Sequence, residues 1–200
     1  MNILAVDTSS DNMTIALCVE EEMFSYIGEA QSKKHNSMFL QAIDQLLDEA
    51  KITINDVDYF ACVVGPGSFT GIRIGVSGIN ALAFALGKKC VAITSLEELA
   101  YGKKFDDFYC AIDCRHDNFY YARFLSGKRH PIEMGEITLD ELRSKENVIY
   151  KNSPSNPIAL IEIAKVKINE GEFEKLSPLY LKKSQAEREY DNKNMDKIGY

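Results

Sequence analysis

Apolar residues come in short blocks or in alternation along the first 124 residues, and polar residues dominate afterwards. The block 3–6 ends on Asp7 and a polar turn, Thr8-Ser9-Ser10-Asp11-Asn12. The alternating stretch 13–19 predicts the second strand of a hairpin, and 24–29 a third strand. Over 35–50, Phe39, Ile43, Leu46, Leu47 and Ala50 fall on one face of a helix. Asn55-Asp56 breaks the pattern, and 58–64 is a strand. It runs through Gly65-Pro66-Gly67-Ser68-Phe69-Thr70-Gly71 into an apolar helix over 71–86, which Gly87 stops. A short strand at 90–93 and a helix over 95–101 follow.

A second unit then opens like the first. Ala5, Asp7, Asp11, Asn12 and Ala16 align with Ala111, Asp113, Asp117, Asn118 and Ala122. In both places an apolar strand ends on Asp, turns through Asp-Asn and returns as an alternating strand, as a duplicated α/β chain would. The frequency of Asp-Asn turns offers a plainer account. Beyond Phe124 the likeness fades. Only 148–150 suggests a strand and 157–166 a helix, and 191–200 reads as a solvated tail. The second unit has no counterpart of the glycine loop.

That loop is the densest candidate for chemistry. A strand leading through glycines into a helix aims several backbone N–H groups one way, at the positive end of the helix dipole. Ser68 and Thr70 are both plausible N-caps. Asp7, Thr8 and Ser9 at the first strand end, with Gly67, Ser68 and Thr70 in the loop, form a candidate nucleotide or phosphate site. In a two-lobed protein Asp7 and Asp113 could face each other across it. The alternative is a tight turn with nothing bound, each Asp bonding its own turn.

Gly71, Gly75, Gly78 and Ala81 make a narrow stripe on the following helix, with Ile74, Ile79, Leu82 and Phe84 around it. The helix is apolar nearly all round, so more than one face is expected to be buried. One face suits the chain's own sheet. The other suits a partner, or the whole helix is simply central.

Charge and cysteine content narrow the picture. A net charge of −7 and a pI near 5.1 make the isolated chain a poor binder of nucleic acid or anionic membrane. No signal segment is visible, and the block 78–87 is too short to span a bilayer, so a cytoplasmic location is expected. Five cysteines, an odd number mostly in apolar contexts, read as reduced core thiols. Cys110 and Cys114 have the wrong spacing for a zinc knuckle, and His35, His116 and His130 share no motif. GPGSFTG is not a nucleophile elbow.

Together ILAVDTSS, VVGPGSFTGIRIG, LGKKCVAITSLEELA, AIDCRHDNFYYARF and PLYLKKSQAERE resemble the TsaB family, in order and in spacing, over nearly the whole chain. The resemblance implies an actin-like, duplicated two-lobed α/β fold of the sugar kinase and Hsp70 superfamily, ribonuclease H-like in each lobe. The lobes are expected at 1–103 and 104–200, the second reduced. It further implies a non-catalytic part in making threonylcarbamoyladenosine at position 37 of tRNA. The expected partners are a TsaD-type transferase, which the chain would dimerise with and activate, and a TsaE-type ATPase. Transfer RNA would be met only within that complex, and no membrane or cofactor is implied. By this analogy the helices 35–50 and 71–86 form the dimer face, with Phe39, Ile43, Gly71, Ile74, Gly75, Gly78, Ala81 and Leu82 in it. A homodimer could use the same surface. The catalytic paralogue carries a His-x-x-x-His pair where this chain has Ser95 and Leu99, so no metal site and no catalytic residue are expected. The region 127–177 is also short for the family, and the second lobe is expected to lack a helix or strand. The rival readings are an ATP-dependent enzyme using Asp7 and the 68–70 loop, and a zinc peptidase.

Overall fold

Five apolar blocks of the first half pair into one sheet. In the computed structural model, which describes residues 1–29, 35–128 and 130–181, these are β1 (Ile3–Asp7), β2 (Asn12–Val19), β3 (Glu22–Glu29), β4 (Tyr59–Gly65) and β5 (Lys89–Thr94). Their order is β3-β2-β1-β4-β5, with β1, β2 and β3 antiparallel and β4 and β5 parallel to β1. α1 (His35–Ala50) and α2 (Phe69–Leu86) cover one face, packing Phe39, Leu46, Ile72, Val76 and Ile79 on Leu4, Val6, Phe60 and Cys62. Ile3, Ala5, Ala61 and Val91 on the other face meet Leu160, Ile161 and Ala164 of α5 (Pro157–Glu170). Burial on both faces explains why β1 and β4 read as continuous apolar runs.

The second sheet repeats this plan with one strand fewer. β6 (Asp107–Asp113), β7 (Asn118–Leu125), β8 (Glu133–Thr138) and β9 (Val148–Tyr150) lie in the order β8-β7-β6-β9, with β9 parallel to β6. α3 (Ser95–Ala100) packs Leu96 on Phe108, Cys110, Ala122 and Phe124. α4 (Leu139–Arg143) covers the opposite face, where Leu142 meets Ala111 and Ile137. Each sheet is thus completed by a helix from the other half: α3 follows the first sheet and packs on the second, and α5 does the reverse. The architecture is the duplicated actin-like α/β fold.

β8 and α4 lie in a polar stretch where the apolar pattern predicts no element. α4 is set by a capping box: Thr138 Oγ1 accepts from the Glu141 N–H, and the Glu141 carboxylate accepts from the Thr138 N–H. The two opening hairpins also differ. Ala5 faces Ala16, but Ala111 faces Tyr121, and Ala122 lies opposite Cys110. Arg115, His116 and Asp117, at φ of 71°, 56° and 56°, form the tighter second turn. A one-residue slip reverses the faces of a strand, so Asp113 has the parity of Ala111, which faces α4, and not that of Cys110, which faces α3.

α2 begins at Phe69, two residues before the start that the pattern predicts, and its cap is Ser68, not Thr70. With 18 residues it is long and apolar enough by composition to cross a bilayer, which the shorter block 78–87 is not. In the fold its Ile72, Val76, Ile79 and Ala83 lie under the first sheet. Beyond α5 the chain straps back across this sheet. The Leu179 N–H donates to Val64 O at 2.8 Å, Asn80 clamps Leu176 through both of its backbone groups, and Tyr180 stacks on Phe69 at 5.2 Å.

Candidate functional site

The glycine loop is built against the first turn. Gly65 has φ +116° and joins Pro66 through a cis peptide. A Cβ at Gly67 would stand 2.2 Å from Ser9 O, and one at Gly71 only 1.9 Å from Thr8 O, so only glycine allows the approach. Several polar groups of the loop bond inward. The Ser68 N–H donates to Ser9 O at 2.7 Å, Ser68 Oγ accepts from the Gly71 N–H, and Thr8 Oγ1 donates to Gly71 O at 2.7 Å. Ser9 Oγ shares a hydrogen bond with Ser95 Oγ at 3.1 Å.

Asp7 is 1% exposed and fully committed. One carboxylate oxygen accepts from the Ser9 N–H, and the other from the Ser155 hydroxyl. Lys151 Nζ lies 3.8 Å from that second oxygen and bonds Glu98 Oε2 and Ser155 Oγ, both at 2.7 Å. Glu98 also accepts from the Asn156 N–H at 2.8 Å. An ammonium from the second half therefore sits beside two buried carboxylates of the first. Asp113 takes no part. It is exposed and accepts from the Arg115 N–H, as an Asp closing its own turn does. The two aspartates thus do not face each other, because the register slip gives Asp113 the other parity.

A polar cleft of about 810 Å³ runs between the halves here. Ser9, Gly67, Ser68 and Thr70 line one side, and Asp113, Arg115 and Lys151 the other. Thr8 and Asp7 lie behind this wall, buried. The six candidate phosphate residues are therefore brought together. The Thr70 side chain is exposed in the first turn of α2, at the edge of the cleft.

The second feature is an apolar groove of about 810 Å³ between α1 and α2. Phe39 and Leu40 of α1 form one wall, and Arg73, Ile74, Ser77, Ala81 and Leu82 of α2 the other. The glycine stripe is divided by the fold. Gly71 and Gly75 press on Thr8, Gly78 presses on the Phe39 ring, and Ile43 is 2% exposed in the core. Gly71, Gly75 and Ile43 thus serve packing within the chain, while Gly78, half-buried, also lines the floor of the groove beside Phe39. Ile74, Ala81 and Leu82 line the groove with Leu40 at 53% and Phe69 at 47% exposure, and Phe84 of the same helix is 91% exposed.

The apolar pattern missed the groups that join the halves: Glu97, Glu98, Lys151, Ser155 and Lys167. Lys167 Nζ meets Glu97 at 3.1 Å, and the Glu97 carboxylate accepts from the Thr94 N–H. A signal for Glu97 was present, since Thr94-Ser95-Leu96-Glu97 is a capping box. Lys151 and Ser155 sit in a loop whose sequence carries no such mark. Ser95 is fully buried, and Leu99 packs with the second-sheet core. Among the described residues no three His, Cys, Asp or Glu side chains cluster as metal ligands. Burial, then the nearby Asp7 charge, pushes the Cys62 thiol well up, and burial lifts Cys90 to about 11 and Cys110 to about 12.

The chain is similar to known proteins. The family model "TsaD: tRNA N6-adenosine threonylcarbamoyltransferase" matches residues 26–167. A Haemophilus influenzae protein described as "tRNA threonylcarbamoyladenosine biosynthesis protein TsaB" is 30% identical over 165 residues, covering 78% of this chain and 70% of its own length. A Bacillus subtilis protein of the same description is 35% identical over 122 residues, covering 60% of this chain, and the match spans about half, 53%, of that relative. A Pseudomonas aeruginosa crystal structure, described as an uncharacterized protein with similarity to peptidase YEAZ, superposes with a TM-score of 0.78 at 24% identity. That superposition covers 90% of this chain and 99% of the other, and shows a common fold.

Proposed function

The chain belongs to the TsaB family of tRNA threonylcarbamoyladenosine biosynthesis proteins, and from that membership we propose that it acts as a non-catalytic subunit that docks on and activates a TsaD-type transferase. The observation that carries this reading is the open apolar groove between α1 and α2, with Leu40 and Phe69 exposed in its lining. A contiguous apolar surface of this kind marks a contact face. Covering it contributes about 25 cal/mol per Å² of apolar area removed from water. The family model that matches this chain is the transferase's own, so a transferase of that family would present helices equivalent to α1 and α2. Two like faces can then meet about a pseudo-twofold axis. Activation requires the groove to prefer the transferase's active conformation. A TsaE-type ATPase and tRNA would join the assembled pair.

The committed Asp7 carboxylate supports the non-catalytic part. Its neighbours are Ser9, Ser155 and Lys151, so a metal–phosphate group would have to compete with that network for a buried carboxylate. Isothermal titration with ATP and magnesium tests the rival reading. Tight binding with turnover by the isolated chain would establish the enzyme instead.

The docking test places a charge in the groove at an exposed site. Ala81→Arg should weaken binding to a TsaD-type transferase about a hundredfold in sedimentation or calorimetry, by leaving a guanidinium unpaired in an apolar contact. Its melting temperature should match that of the wild type, because Ala81 is exposed. Unchanged binding, or no binding by the wild-type chain, would overturn the proposal.

A further inference from the structure

We propose that a separate pocket, between α3, α5 and the far end of the β6–β7 hairpin, binds a small amphiphilic monoanion: one carboxylate on an aromatic or short aliphatic body. It encloses about 360 Å³, a volume suited to a small ligand. It is distinct from both features described above. The cleft is lined by Ile112 and Asp113 at one end of β6, and this pocket by Phe108 at the other.

Two features define the ligand. The first is the apolar lining. Phe105, Phe108 and Phe124 form a series with ring centroids 6.2 Å and 5.4 Å apart. Phe108 and Phe124 are nearly buried, while Phe105 is 45% exposed, so the series opens to water at one end. Ala100, Ile163 and Val166 add aliphatic surface from two helices. An aromatic or alkyl group laid here would remove that surface from water.

The second is charge. Three lysines and two glutamates line the pocket. Glu97 pairs with Lys167 at 3.1 Å, and Glu162 with Lys165 at 3.1 Å outside it. Among the described residues no carboxylate pairs with Lys103 or Lys128, both exposed on the turns flanking the hairpin. Two uncompensated ammonium groups at an apolar opening, in a chain of net charge −7, make a local basin for an anion. Among the described residues the lining has no arginine and no glycine loop with converging N–H groups, so it suits one carboxylate better than a polyphosphate. A ligand here would touch α3 from the first half and α5 from the second, and so stabilise the folded chain by mass action.

The test uses the full chain, labelled with nitrogen-15 and titrated with 4-phenylbutyrate, with 4-phenyl-1-butanol as the uncharged counterpart. Saturable amide shifts are expected at Ala100, Phe105, Ser126, Gly127 and Ile163. The alcohol should bind roughly tenfold more weakly, and so should the acid to the Lys103→Glu/Lys128→Glu variant. Both lysines are exposed, so that variant should melt like the wild type. Ala100→Phe, which fills the pocket, should abolish the shifts for acid and alcohol alike. Shifts centred on the α1–α2 groove, an absence of saturation, equal binding of acid and alcohol, or an unaffected charge-reversal variant would overturn the proposal.

Discussion

Lys151 ties the two halves together through a buried cluster of charges. It is 8% exposed between Glu98 at 6% and Asp7 at 1%. Removing one member of such a group leaves the others charged and uncompensated. Lys151→Met should therefore lower stability by about 3 kcal/mol in urea unfolding, although methionine fills similar space. The thiols make a second prediction at this scale. Cys90 at about 11 and Cys110 at about 12 carry almost no thiolate near neutral pH, and Cys18 and Cys62 are buried. Iodoacetamide at pH 8 should modify Cys114, which is half-buried, and spare the other four until the chain unfolds. A raised thiol value favours the protonated form in the folded state. That contribution is present below the ordinary value of 9.0 and disappears as pH climbs through 11 and 12. Five labelled cysteines in the native protein would contradict the burial.

At the scale of the element, glycines with similar sequence prominence have opposite costs. Gly71 has Thr8 O 1.9 Å from where a Cβ would sit, whereas Gly87 has nothing within 4 Å but holds φ +62°. Gly71→Ala should cost about 3 kcal/mol by forcing α2 off the first turn, and Gly87→Ala about 1 kcal/mol from the left-handed backbone alone. Thermal melts of the two variants, compared with the parent, check the order. The elements themselves were legible wherever burial is two-sided or a helix face is apolar. β1, β4, α1 and the body of α2 follow directly from such blocks. β8 and α4 were not legible, because their burial is slight and Leu142 is the one fully buried side chain in the pair. The arrangement in which Asp7 and Asp113 face each other gives way to the alternative, Asp113 closing its own turn, for a different reason. The residues align in sequence, but a turn tightened by three left-handed residues shifts the register by one, and no composition pattern reports that. For the site, the glycine loop and its neighbours stood out at once. Their inward hydrogen bonds did not, since Lys151 and Ser155 come from a distant loop.

For the whole molecule, the exchange of α3 and α5 makes the halves interdependent. Without α5, the face of the first sheet that holds Ile3, Ala5, Val91 and Ile93 would be open to water. Without α3, Phe108 and Phe124 would lose Leu96. A fragment ending at residue 103 and one starting at 104 should each lack a cooperative thermal transition by circular dichroism, while the intact chain shows a single one. Two separate transitions in the intact chain would count against this coupling. The same exchange also governs events at the ribosome. The first five strands are synthesised before the second sheet, yet the helix that seals their second face follows that sheet in the chain. A nascent polypeptide halted anywhere before Pro157 therefore holds an unsealed sheet, and truncated translation products should be substrates for chaperones and proteases, not half-sized working proteins.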